Sequence, residues 1–435
     1  MGMTRVSKYA AATVTTFLVA TCAVLYLSVN AKPVPGRGDL PSVSSGSRTR
    51  ETQIEEIYVP MSEFPDETEE LLMPGPVISE PDPYAGYKTT AQQILAEMTD
   101  DEKLYQLFIV TPEALMPNYK TIVAAGDATK NAIEKQPVGG IIYSQKNMQN
   151  AQQTTEMLTA TQGFSKIPLF LGVDEEGGRV SRISALPSMG FDKLPSMADI
   201  GATGDITQAY ETGAETGRRL SSLGFNLNFA PVADVLVNPD NEIIGDRSFG
   251  ADPQLVANMT EGYTKGLRDS GIAATLKHFP GHGGTTGDTH NERTISERTL
   301  EQLRESEFLP FSSGIAAGAD LVMMAHISAE NINADGKPAS LSPEIIELLR
   351  FELGFGLVVI TDALDMGAIT DTYESGDAAV QAVLAGADML LMPENLEAAI
   401  QGLRDALDSG ALTWQRIDES LMRILAVKLE RGIIG

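Results

Sequence analysis

The chain has 435 residues, 43% of them hydrophobic and 21% charged, enough apolar material to bury one large domain or two ordinary ones and too much for a disordered protein. A formal net charge of −27 argues against a nucleic-acid partner, because phosphate binding needs a basic face that releases counterions. The single cysteine, Cys22, permits neither an intramolecular disulfide framework nor a multi-cysteine zinc site, so any metal would need histidines and carboxylates.

Arg5 and Lys8 precede a run from 9 to 31 with no charged residue, centred on Phe17-Leu18-Val19-Ala20. This predicts an export signal, either cleaved after Val29-Asn30-Ala31 or kept as a helix across the membrane. A lipoprotein reading of Cys22 would want a smaller residue than Thr21 before it. Residues 32–87 hold nine of the 23 prolines and eleven acidic against four basic residues. Such a segment buries too little apolar surface to offset its ordering entropy, which predicts a flexible stalk, with a docked extended arm as the alternative.

The folded domain is expected over 88–435. Thr99-Asp100-Asp101-Glu102 has the capping-box pattern, so a helix should start there. Short apolar runs then recur at 108–110, 140–143, 169–173, 227–230, 274–276, 321–324, 357–360 and 389–392. Segments of helical spacing such as 209–223 and 375–387 lie between them. Near-continuous apolar strands alternating with helices imply a parallel sheet covered on both faces, and eight such units predict a single (β/α)₈ barrel of the TIM type. Asp174, Lys277, His278, His326 and Asp362 close these runs at predicted C-terminal strand ends, the face on which a barrel builds its active site. A carboxylate at such a place can also cap the next helix, and Asp365 is read that way.

Three of the four histidines, His278, His282 and His290, fall between 277 and 290. Pro280 and Gly281 disfavour a helical zinc pair there, and the glycines predict a long mobile loop leaving a strand end. Asp288 and His290, two apart, would share one side of an extended backbone, where the carboxylate orients the imidazole and favours its protonated form. Asp362, delivered by the apolar run before it, suits a nucleophile, which tolerates little misplacement.

Taken together these residues resemble glycoside hydrolase family 3, in its single-domain β-N-acetylglucosaminidase branch. Five blocks match in order: the stretch from Met98 to Phe108, Asp174-Glu175-Glu176-Gly177-Gly178-Arg179, Gly245-Asp246-Arg247-Ser248-Phe249-Gly250, the segment from Lys277 to His290, and Thr361-Asp362-Ala363-Leu364. The resemblance implies that Asp174, Arg182, Arg247, Lys277 and His278 hold the sugar, Asp362 is the nucleophile, His290 the acid/base and Asp288 its partner, with no metal or cofactor. Arg182, expected on a helix, and Arg247, expected in a loop, would serve equally as structural ion-pair partners, and His282 and His326 are read as packing residues. Glu175 stands where the family usually has Gln, and Thr289 where Ser is common. Without the second domain of larger members, the acid must come from the barrel itself.

The implied reaction is a retaining double displacement on terminal β-linked N-acetylglucosamine, with export pointing to peptidoglycan fragments and with phosphate open beside water as acceptor. Three rivals stand: a β-glucosidase of the same family, a substrate-assisted enzyme using Asp174-Glu175, and a non-catalytic sugar-binding protein of the cell wall.

Overall fold

The computed structural model describes residues 86–289 and 293–435. The predicted signal at 1–31, nearly all of the stalk at 32–87, and His290 lie outside the described residues. Among the described residues no helix is long and apolar enough to cross a membrane.

Eight parallel strands close into a barrel: β1 Phe108–Val110, β2 Gly140–Ile142, β3 Phe170–Val173, β4 Leu227–Asn228, β5 Ala273–Phe279, β6 Leu321–Met324, β7 Val358–Ala363 and β8 Met389–Leu391. Each neighbours the next in sequence, and Phe108 paired with Leu390 and Ile109 with Leu391 join β8 back to β1. The strands are apolar on both faces because helices cover the outside and side chains fill the inside, and every residue of β1, β2, β3, β6 and β8 is buried. All eight apolar runs found in the sequence are strands of this barrel.

The helices begin and end where the sequence chemistry directs. Thr99 accepts from the Glu102 amide at 3.2 Å, and Glu102 accepts from the Thr99 amide at 2.9 Å, closing the capping box before Asp100–Tyr105. The helix Ile206–Leu223 stops at Gly224, whose φ of 97° is a left-handed conformation that glycine adopts without a Cβ penalty. That helix packs closely on Pro253–Asp269, where Gly213 and Gly266 face partner backbone with no room for a side chain.

The bonding register locates the two places where the barrel departs from regularity. Leu276 pairs with Val322 and Phe279 with Met324, so β5 carries one extra residue across Lys277 and His278. Ile360 pairs with Met389 and Ala363 with Leu391, so β7 carries one extra across Thr361 and Asp362. A bulge breaks the in-out alternation and re-aims side chains, and bulges gather beside active sites. Lys277 and His278 are therefore within β5, not beyond its end as the apolar run suggested.

Candidate active site

Asp174, directly after β3, and Lys277, from the bulge of β5, meet at the top of the barrel: the Lys277 ammonium donates to Asp174 Oδ1 at 2.9 Å. Lys277 also lies 2.7 Å from Glu176 Oε1. Glu176 is gripped on its other side by Arg247, whose Nε and Nη2 donate to its two oxygens at 2.8 and 2.9 Å. Burial pushes the Glu176 carboxyl up, but Arg247 and Lys277 more than offset it and hold it far below the usual range. Burial pushes the Lys277 pKa down; Asp174 and Glu176 more than reverse this and keep it an ammonium. Glu176 thus fixes two cations side by side while leaving each with donors for a ligand.

Arg247 comes from the turn Gly245–Arg247, which Arg179 holds by donating to the carbonyls of Glu242, Ile243 and Ile244 and by an ion pair to Asp246 at 2.8 Å. The Arg247 guanidinium lies 3.3 Å from His278 Nε2. A guanidinium can only donate, so Nε2 accepts and the proton is on Nδ1, which donates to Asp234 Oδ2 at 2.7 Å. Asp234 is wholly buried; its Oδ1 accepts from the His282 amide at 2.6 Å. Burial raises its pKa, and contacts with His278 and His282 bring it below the ordinary value. One carboxylate therefore orients the His278 ring and pins the chain that leaves β5.

Past His282 the segment is held at several points. Asn241 donates to the His282 carbonyl at 2.8 Å and Asn238 to that of Thr285 at 3.0 Å, while the Thr289 carbonyl accepts from the Ala368 amide at 3.2 Å. Beyond the undescribed residues, Thr294–Ile295 forms a short parallel ribbon with Ile327–Ser328. The segment expected to be a long mobile loop is anchored as far as Thr289 and again from Thr294. Asp288 is half-buried and does not line the cavity described below; its pairing with His290 falls outside the described residues.

Opposite this array Asp362 stands in the bulge of β7, half-buried, with Oδ1 accepting from the Ala363 amide at 2.8 Å. Burial pushes its carboxyl up, but the positive and donor groups around it, Lys277 and the Ala363 amide among them, bring it below the usual range, so it is ionised at neutral pH. His326 is buried; Nε2 donates to the Ala363 carbonyl at 2.9 Å and Nδ1 accepts from Ser340 Oγ at 2.7 Å, which fixes the end of β7. A cavity of about 430 Å³ is lined by Asp174, Arg182, Arg247, Lys277, His278 and Asp362. It is at the small end of ligand pockets, suited to one polar ring more than to a chain.

Two expectations and one rival reading are corrected. Arg182 lies in a bend after β3, not on a helix, and among the described residues its guanidinium makes no ion pair, which leaves it available to a ligand. Asp365 is exposed in the turn after β7 and does not cap the following helix Gly367–Thr370, whose N-cap is Met366. Glu175 is turned away from the cavity: it accepts from the amides of Arg182, Ile183 and Ser184 and from the Ser184 hydroxyl, so it shapes its own loop and cannot act with Asp174 as an acidic pair. The His278 and His282 rings sit edge to face, 5.9 Å apart, with their nitrogens engaged by Asp234, Arg247, Thr285 and Thr289.

Sequence reasoning missed Glu176, Arg179 and Asp234 as organisers of the site. Glu176 and Arg179 were visible in their block, where a buried loop with three successive carboxylates needed cations to match them. Asp234 is the one charge in the apolar stretch 229–237, and a lone charge in such a run calls for a buried partner.

The family model described as Glycosyl hydrolase family 3 N terminal domain matches residues 99–427. Beta-hexosaminidase A of Pseudoalteromonas piscicida is 35% identical over 326 residues, 68% of this chain and 54% of that protein. The beta-hexosaminidase of Stenotrophomonas maltophilia (strain R551-3) is 38% identical over 304 residues, covering 65% of this chain and 88% of its own. Among solved structures, a glycoside hydrolase family 3 beta-N-acetylglucosaminidase from Paenibacillus sp. str. FPU-7 superposes with a TM-score of 0.72 at 38% identity, covering 78% of this chain and 64% of that one. The match thus spans about half of the Pseudoalteromonas protein and just under two thirds of the Paenibacillus one. With the barrel, the ordered blocks and these likenesses agreeing, the chain belongs to glycosyl hydrolase family 3.

Proposed function

We propose that the protein is a retaining exo-acting β-N-acetylglucosaminidase that removes terminal β-linked N-acetylglucosamine by double displacement. The observation that carries this reading is one ionised carboxylate, Asp362, facing an organised set of charged donors across a cavity of monosaccharide scale. Lys277, Arg247, Arg182 and Asp174 offer charge-assisted hydrogen bonds to the hydroxyls of a single terminal sugar, and His278, locked by Asp234, offers a directional ring nitrogen. Their placement orients the anomeric carbon towards Asp362.

Asp362 attacks that carbon and forms a covalent glycosyl-enzyme as the leaving oxygen takes a proton from His290; His290, then neutral, draws a proton from the incoming water, which releases the sugar with its configuration retained. Asp288 acts as the partner of His290. The preference for an acetamido sugar is supported by the names of the related proteins, beta-hexosaminidases and a beta-N-acetylglucosaminidase. Residues 9–31 direct export or anchor the chain and 32–87 form a stalk, a reading supported by the uncharged run behind Arg5 and Lys8 and by the proline-rich acidic composition. Peptidoglycan-derived fragments are the corresponding substrate in that compartment.

Initial rates on an aryl β-N-acetylglucosaminide and an aryl β-glucoside test the substrate assignment. The expected result is a kcat/KM higher on the acetamido sugar by about two orders of magnitude. Equal or faster turnover of the glucoside would overturn it, and saturable binding without turnover of either would point to a sugar-binding protein.

A further inference from the structure

The ring of His282 takes no part in the proposed chemistry, yet the segment leaving β5 is braced through it. Its backbone is fixed first: the amide donates to Asp234 Oδ1 at 2.6 Å, and the carbonyl accepts from the Asn241 side chain at 2.8 Å. The other oxygen of Asp234 accepts from the His278 amide at 3.2 Å and from His278 Nδ1 at 2.7 Å, so one buried carboxylate places both histidines. A residue held in this way can set the position of whatever its own side chain touches.

That side chain touches two buried hydroxyls, Thr285 Oγ1 at 2.9 Å from Nδ1 and Thr289 Oγ1 at 3.3 Å from Nε2. The Thr285 hydroxyl spends its one proton on the His282 carbonyl at 2.9 Å, so Nδ1 donates to Thr285 and Nε2 accepts from Thr289. Burial pushes the pKa of the ring down, in keeping with a neutral imidazole that carries a single proton. Thr289 is the residue between Asp288 and His290. Its hydroxyl is held by His282 on the β5 side, and its carbonyl is held by the amide of Ala368, in the helix Gly367–Thr370 that follows β7. One residue thus ties the segment both to the strand that carries Lys277 and His278 and to the strand that delivers Asp362. Packing alone would be served by an apolar ring beside apolar neighbours; two hydroxyls aimed at the two ring nitrogens give the contact direction as well as bulk.

Resting on the glycosidase reading above, we infer that His282 is a positioning residue for the acid/base step: its ring, placed by Asp234, holds Thr289, and with it the flanking Asp288 and His290, in register with Asp362 and the sugar. Proton transfer depends on that register, because the donor must come within about 3 Å of the leaving oxygen, and a misplacement of about 1 Å costs about 10²-fold. A leaving group that departs as a stable anion needs no proton. Loss of the brace is therefore felt by a poor leaving group and spared by a good one.

The test assays wild type, His282→Phe, Thr289→Val, Thr289→Ser and His290→Ala on an alkyl β-N-acetylglucosaminide, whose leaving oxygen needs a proton, and on the dinitrophenyl one, whose leaving oxygen does not. Thermal midpoints establish folding. His282→Phe keeps the bulk of the ring and removes both nitrogens, Thr289→Val removes only the hydroxyl, and Thr289→Ser keeps it. The expected result is that kcat/KM on the alkyl glycoside, relative to the dinitrophenyl one, falls about tenfold to 10²-fold in His282→Phe and Thr289→Val and stays within about threefold of wild type in Thr289→Ser. An unchanged ratio in either folded variant of the first two would overturn the assignment, whether both activities fall together, as for a merely structural residue, or neither falls. A Thr289→Ser ratio as low as that of Thr289→Val would overturn it too, since the hydroxyl would then not be what is held. Should His282→Phe not fold, the two Thr289 variants decide. A wild-type ratio in His290→Ala overturns the acid/base reading, and wild type inactive on both substrates overturns the glycosidase reading; either takes this inference with it.

Discussion

The two ends of the barrel are built from the same residue types and do different things with them. At the upper end Asp174, Glu176, Lys277, Arg247 and Asp234 form a charged network that stays open on one side, with Asp362 facing it across a cavity. At the lower end the network closes on itself. Asp388, wholly buried ahead of β8, is ringed by Arg350, by Arg423 at 3.0 Å and by Arg416 at 3.9 Å, and accepts from the Ser420 hydroxyl at 2.8 Å and the Val359 amide at 2.9 Å. Asp320, ahead of β6, meets Arg431 at 3.0 Å and Arg268 at 3.7 Å. Lys428, buried on the last helix Trp414–Glu430, donates to Gln106 Oε1 at 2.9 Å and lies 5.1 Å from the centre of the Phe170 ring. The lower charges fasten the last helix to the barrel, and the upper ones are left facing a cavity. Charge burial is thus no sign of function by itself; what distinguishes the two ends is whether the donors are left facing space.

That contrast can be broken by substitution at either end. Asp362→Ala should lower kcat by about 10⁴-fold or more with the thermal midpoint unchanged, since it removes the attacking group and no fold contact beyond one local amide bond. Retention of most activity on steady-state assay would remove Asp362 from the mechanism. Glu176→Gln tests whether the partition is absolute, because Glu176 holds both Lys277 and Arg247. It should cost about 10²–10³-fold in kcat/KM and, by leaving two buried cations under-neutralised, about 3–5 kcal/mol in denaturant unfolding. A loss confined to one of the two readouts would show that the upper network serves only that purpose.

Asp388→Asn should do the reverse, destabilising the fold by about 3–5 kcal/mol while kcat of the folded protein stays within about twofold. A large drop in kcat at full folding would mean the two ends are coupled. The remaining effect concerns pH. Burial lowers the Lys428 pKa to about 7, well under its unfolded value, so from about pH 7 to 10 the unfolded chain binds more protons at this residue than the folded one. Stability contributed through Lys428 therefore rises with pH across that window and levels off above it. Lys428→Met should flatten this rise in urea midpoints taken from pH 7 to 10, and an unaltered slope would show that the ammonium is not titrating there.

Much of the upper face was legible in the sequence because it lies at the ends of apolar runs. All eight strands announced themselves as such runs, and Asp174 and Asp362 fall where those runs stop. Lys277 and His278 hid the true length of β5: two polar residues look like a strand end unless their partners Asp174, Glu176 and Asp234 are known, and those come from the loops after other strands. The bulges at Lys277-His278 and Thr361-Asp362 leave no periodic trace, since one extra residue in a run of six or seven is within the noise of the pattern. Glu175 and Glu176 are adjacent and chemically alike, yet one ties a loop and the other binds two cations; only the fold of the Gly177-Gly178 turn, both glycines at positive φ, separates them. At the lower end Asp388 and Lys428 carried no motif, and their importance arises from contacts with the last helix that sequence spacing does not encode.

The central claim is that Asp362 forms a bond to the anomeric carbon, and the most direct measurement is mass spectrometry of the protein inactivated with a fluorinated glycosyl donor whose glycosyl-enzyme breaks down slowly. A single added glycosyl mass, located by peptide fragmentation on Asp362, is the predicted result. An adduct on any other residue, or turnover of the donor with no adduct accumulating while Asp362→Ala remains active, would contradict it.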